Sequence, residues 1–206
     1  MKPLKYISQQ SALLVGLLFL FACNTKEAVP AVNAGEDRSA VKKNADHFAF
    51  YKDIAIKPGL NFEVVSWGKG VDSIGGYLLL MSDSTKSNYK SLSVEREGII
   101  TDAWNMDLDN DGNPELYIEL QSKKTVKDLN VYEYSGGSFN KISFPPLSSR
   151  AKKTYGGNDK FMIKNGELFR SYPIVNSTDT AAKNGSEKML LYRLRGNTFS
   201  IDEITK

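Results

Sequence analysis

The chain has 206 residues, 41% of them hydrophobic and 25% charged, and a formal net charge of +3. That length suits one core-forming domain, and so small a charge lacks the basic footprint of a nucleic-acid binder, so nucleic acid is not an expected partner. A single Cys and a single His exclude an intrachain disulfide and a Cys/His zinc cluster.

In chain order, the first element is an export signal over residues 1–22. Lys2 and Lys5 form a short positive start, and Ala12–Phe21 is an apolar run too short for a comfortable transmembrane helix. The run ends in Leu20-Phe21-Ala22-Cys23, which resembles the lipobox of bacterial lipoproteins. The resemblance implies cleavage before Cys23, a diacylglycerol on its thiol, and a chain anchored in the bacterial cell envelope, facing the periplasm or the outer surface. Each buried CH₂ of such an anchor contributes ~0.8 kcal/mol, so two or three acyl chains hold firmly. Lipid consumes the thiol, leaving the domain to be stabilised by its own core. Removing Lys2 and Lys5 also lowers the formal charge by two units.

Residues 23–45 follow as the lipidated Cys and a flexible tether, rich in Ala, Val, Lys and Asn without apolar periodicity. Residues 46–206 form the folded part. Ala45–Tyr51 is short and aromatic and suits either a strand or a helical turn. Beyond Pro58, short runs of β-branched and aromatic residues alternate with Gly, Asn, Asp and Ser clusters. The strands expected are Asn61–Trp67, Gly76–Ser82, Ile99–Met106, Glu115–Gln121, Asn130–Tyr134, Ser138–Ser143, Lys160–Lys164, Glu167–Val175, Lys188–Arg195 and Thr198–Ile204. Ser135-Gly136-Gly137, Asn165-Gly166 and Gly196-Asn197 read as hairpin turns, because both central residues of a type I′ turn need positive φ. No long 3.6-residue period appears, so helix should be minor. The expected fold is all-β: an antiparallel β-sandwich or open barrel of consecutive hairpins. Its expected core includes Trp67, Leu79, Ile99, Trp104, Leu116, Ile118, Val131, Phe161, Leu191 and Tyr192.

The sharpest local motif is Asp107-Leu108-Asp109-Asn110-Asp111-Gly112-Asn113-Pro114-Glu115. Alternate acids in a tight loop converge on one point, and Gly112 permits the turn. Asp107, Asp109, Asp111 and Glu115 are therefore candidate Ca²⁺ ligands, since hard Ca²⁺ takes six to eight oxygens. An EF-hand would need Glu where Ile118 stands, and the flanks read as strands. The loop looks more like the β-hairpin calcium loops of FG-GAP-type repeats, present in one copy. The same residues also suit an acidic turn whose carboxylates bond backbone N–H groups.

Ser73-Ile74-Gly75-Gly76-Tyr77 is a second candidate, a glycine loop flanked by a hydroxyl and an amphipathic ring; taken alone, it suits a β-bulge with Tyr77 half buried better. Ser135, Gly136 and Gly137 have the same character. Catalytic signals are absent: His47 lies at the tether's edge, and there is no nucleophile elbow or phosphate loop.

Taken in order, three blocks resemble the periplasmic inhibitors of invertebrate-type lysozyme: Val71–Tyr77; Arg96-Glu97-Gly98 followed by Trp104–Glu115; and Lys164–Pro173. The likeness spans about Phe62 to Ile201. It departs at Ser177–Ala182 and Asn184–Glu187, where the family has glycine- and arginine-containing segments. The resemblance implies a β-sandwich without enzymatic activity that blocks a lysozyme, its protein partner, by inserting loops into the cleft. Ser73, Gly75, Gly76 and Tyr77 would make the contact, with Ser135, Gly136 and Gly137 as a second one. The alternative is a calcium-stabilised binding lipoprotein without inhibitory activity.

Overall fold

A computed structural model describes residues 48–68, 75–175 and 187–204. Cys23, His47, Ser73 and the Ser177–Glu187 departures lie outside these residues, apart from Glu187 itself. Among the described residues twelve strands run β1 (Phe50–Lys57), β2 (Leu60–Trp67), β3 (Gly76–Asp83), β4 (Asn88–Glu95), β5 (Ile99–Met106), β6 (Glu115–Lys123), β7 (Val126–Ser135), β8 (Ser138–Ile142), β9 (Lys160–Lys164), β10 (Glu167–Pro173), β11 (Glu187–Arg195) and β12 (Thr198–Ile204). A short helix, α1 (Ser149–Lys153), precedes β9. Its N-cap, Ser148, accepts a hydrogen bond from the Ala151 N–H at 3.1 Å.

The fold is all-β, as the alternation predicts. The strands form three four-stranded antiparallel sheets, ordered β1-β2-β3-β4, β5-β6-β7-β8 and β12-β11-β10-β9, and none closes into a barrel. Each sheet is a meander of consecutive hairpins. The expected turns occur at Gly136-Gly137, Asn165-Gly166 and Gly196-Asn197, all six residues at positive φ.

Two hydrophobic clusters show how the sheets stack. Leu116, Ile118, Leu120 and Tyr132 pack with Phe62, Val64, Tyr77, Leu79 and Met81 of the first sheet. Tyr117, Leu129 and Val131 pack with Leu168, Tyr172, Leu190 and Tyr192 of the third. Neighbours along β6 therefore serve opposite cores, as a period of two demands. The β5–β8 sheet is the middle layer, covered on both faces, so the stack has three layers where a sandwich has two.

Four departures from the sequence reading have physical causes. β4 carries only Leu92 and Val94 inward among Asn, Lys, Ser and Glu, the polar make-up of an edge strand. β1 extends Phe50–Lys57 with Lys52 in its inward file, where Lys52 meets Asp102 of β5 at 2.5 Å. Trp67 is 41% exposed rather than buried, because it lies on the face of β2 opposite Leu60, Phe62 and Val64, which enter the first core. Ile99, Trp104 and Phe161 are only half buried, while Leu79, Leu116, Ile118, Val131, Leu191 and Tyr192 are buried as expected.

A buried ion pair beside the third sheet ties it to the second through the Lys127 backbone of β7. Arg170 Nε donates to Asp159 at 2.7 Å, with side chains 4% and 0% exposed. The same guanidinium donates to the Lys127 carbonyl at 3.1 Å, and Asp159 accepts from the Lys127 N–H and the Tyr155 hydroxyl. Burial works to lower the Arg170 pKa, but hydrogen bonding and charge from Asp159 outweigh it and hold the cation above its ordinary value.

Candidate functional site

β5 and β6 pair with Met106 opposite Glu115, so Asp107–Pro114 is the loop of their hairpin. Asn110 and Gly112 hold φ of 58° and 87°, and a Cβ on Gly112 would meet nothing within 4 Å. Glycine is needed there for its backbone angle alone. The loop winds around its own acids. The Asp107 carboxylate accepts from the Asp111 and Gly112 N–H groups, both at 3.0 Å. Asp111 accepts from the Asn113 N–H at 2.7 Å and from its amide at 2.9 Å. Glu115 Oε2 accepts from the Leu108 N–H at 2.7 Å.

An acidic turn would need no more than this, and the loop has more. Asp107, Asp109, Asp111 and Glu115 each bring a carboxylate oxygen within 4.8 Å of the others. Glu115 is 0% exposed, and its Oε1 is buried without a hydrogen-bond partner, as is Asp109 Oδ1. Orphaned acceptors of this kind are rare in folded proteins, because each forfeits its hydration. Burial, opposed by the Leu108 hydrogen bond and reinforced by the charges of Asp109, Asp107 and Asp111, pushes the Glu115 carboxyl up to about 7. A hard divalent cation removes all three costs at once, since it neutralises the acids, ligates the orphaned oxygens and replaces lost water.

Sequence reading missed one more acid. Glu133 of β7 lies directly opposite Glu115 in the ladder and is 4% exposed. Its carboxylate accepts from the Ser135 hydroxyl. The signal in sequence is faint: Glu133 is two residues before the Ser135-Gly136-Gly137 turn, and only the register brings it to Glu115.

The loop borders a cleft of about 650 Å³ between the second and third sheets. Asn105, Asp107 and Asp109 line one wall, and Asn165, Arg193 and Arg195 the other. Arg193 is held at 3.0 Å from Asp202 and 3.4 Å from Glu167. The acidic block and the Asn165-Gly166 hairpin, far apart in sequence, thus share one cavity.

The glycine loop has a different character. A Cβ on Gly75 would sit 2.5 Å from the Trp67 carbonyl oxygen, and one on Gly76 would sit 2.6 Å from the Trp67 ring. These glycines allow close packing. Arg96 binds the same place: its N–H donates to Gly75 O at 3.2 Å, and its guanidinium donates to the carbonyls of Trp67 and Gly98. Tyr77 must be corrected as a contact residue. It is 0% exposed, and its hydroxyl meets Tyr132 Oη at 2.7 Å and accepts from Asn130 at 3.0 Å. The alternation along β3 turns it into the first core. At the Ser135–Gly137 turn, open space surrounds Gly136 and Gly137, and the Ser135 hydroxyl is engaged by Glu133. Among the described residues no helix is long and apolar enough to cross a membrane.

No family model, curated protein or solved structure matches the chain.

Proposed function

We propose that this is an envelope lipoprotein whose three-layer β domain binds Ca²⁺ in the Asp107–Glu115 loop and serves as a binding module without catalytic chemistry. The observation that carries the reading is Glu115: fully buried, with Oε1 unpartnered, among three further carboxylates. A turn alone gives no reason to bury that oxygen, whereas a cation does. Calorimetric titration tests it. Ca²⁺ should bind to the domain with one-site stoichiometry, and Glu115→Gln should abolish the heat. Unchanged binding in that variant would end the assignment. Anchoring through Cys23 rests on the lipobox, and Cys23→Ser should leave the protein without labelled fatty acid, either soluble or unprocessed with its signal still attached.

Lysozyme inhibition is the second reading. Its support is that two of the resembling blocks interlock: Arg96 bonds Gly75 and the Trp67 carbonyl, and its guanidinium also binds the Gly98 carbonyl. Buried Tyr77 takes no part in such a contact, which leaves the Gly75 end of the first sheet and the Ser135–Gly137 turn. Following cell-wall lysis by an invertebrate-type lysozyme with added domain decides it: undiminished lysis at excess domain rejects inhibition.

A further inference from the structure

We propose that the cleft beside the acidic loop binds a neutral sugar, whose hydroxyls complete the coordination of a Ca²⁺ held by Asp107, Asp109, Asp111 and Glu115. The inference rests on the reading of that loop as a cation site and assigns it a ligand class.

Position comes first. Asp107 and Asp109 belong both to the acid cluster and to the cleft wall. A cation in the loop therefore faces the cavity. Coordination comes next. Ca²⁺ takes about 6–8 oxygens, and four carboxylates do not all bind through both oxygens when several are engaged by loop N–H groups. Glu115 closes the buried side, while Asp107 and Asp111 are exposed. The vacant coordination positions lie on the exposed side.

Charge decides what fills them. Four carboxylates exceed the charge of one Ca²⁺. A phosphate or uronate entering the cleft would meet residual negative charge, whereas hydroxyl oxygens ligate without adding any. The opposite wall suits the same ligand. Asn105 and Asn165 offer amides that both donate and accept, as hydroxyl groups do. Arg195 adds donors, while Arg193 is already tied to Asp202 and Glu167. Ile163, 48% exposed at the cleft, gives the C–H face of a ring an apolar surface. The volume falls in the range of small-ligand sites, about 300–1,000 Å³, and accommodates one or two rings.

The test uses the mature lipid-free chain in millimolar Ca²⁺ and a panel of methyl mannoside, galactose, N-acetylglucosamine and glucuronate, followed by calorimetry. At least one neutral sugar should bind, be released by EDTA, and outcompete glucuronate. Asn165→Gly removes one amide while keeping a residue that tolerates the turn's φ of 54°. It should weaken sugar binding about fivefold and leave Ca²⁺ affinity unchanged, the loss of one hydrogen bond. Ca²⁺ binding with no neutral-sugar binding, sugar binding that survives EDTA, or glucuronate binding at least as tightly overturns the sugar inference and spares the cation. No Ca²⁺ binding at all overturns both.

Discussion

Glu115→Gln should change the sign of its effect on stability with Ca²⁺. Glutamine keeps the size of the side chain and an oxygen for the Leu108 N–H, which Glu115 accepts at 2.7 Å. It removes a fully buried carboxyl that, pushed up to about 7, ionises only at a cost beside Asp107, Asp109 and Asp111. In EDTA the variant should therefore melt at or above wild type. In Ca²⁺ the order reverses. A ligand at a hundred times its Kd stabilises the folded state by about 2.7 kcal/mol. For a domain of this size that raises Tm by about 5–11 °C, at roughly 2–4 °C per kcal/mol. If losing one of four carboxylates weakens the site a hundredfold, the same Ca²⁺ concentration yields only about 0.4 kcal/mol. Differential scanning fluorimetry of both proteins, with Ca²⁺ and with EDTA, reads all four values. Equal Ca²⁺ shifts in the two proteins, or a variant markedly less stable in EDTA, would refute the reasoning, because Glu115 would then be a structural acceptor.

Asp159→Ala should cost about 3–5 kcal/mol, since it leaves the Arg170 guanidinium buried and uncompensated; a loss below about 1 kcal/mol in urea unfolding would show the pair to be dispensable. Leu116→Ala should cost about 2–5 kcal/mol by opening a cavity between the first two sheets, with urea unfolding again the measure and a near-neutral effect the contrary result. Stability should fall steeply above pH 10. Tyr77, Tyr117, Tyr132, Tyr172 and Tyr192 are at most 2% exposed, and burial raises the pKa of each above its ordinary 10. The unfolded chain releases those protons near pH 10 while the folded one retains them, so stability present below pH 10 is lost as pH rises, by about 1.4 kcal/mol per pH unit for each such tyrosine. Ultraviolet titration checks this, and full ionisation near pH 10 in a still-folded domain would contradict it.

Much of the local structure was legible from residue order. The turns at Gly136-Gly137, Asn165-Gly166 and Gly196-Asn197 occur where expected, because positive φ is a local demand that few residues meet. Ile99–Met106, Lys160–Lys164 and Thr198–Ile204 have the bounds that alternation and turn residues set. The four loop acids converge because their spacing and Gly112 are local too. Alternation, however, says only that a strand has two faces and not what covers each. The double burial of the middle sheet, and hence three layers in place of two, was decided by packing. So was the fate of Tyr77, whose ring and hydroxyl suit a binding surface as well as a core until Tyr132 and Asn130 arrive to satisfy it. Glu133 opposite Glu115, and the cleft shared by the acidic loop and the Asn165 turn, bring together residues far apart in the chain. Such proximity depends on strand register and sheet stacking, which are set by the burial of whole faces at once and leave no mark on any single stretch of sequence.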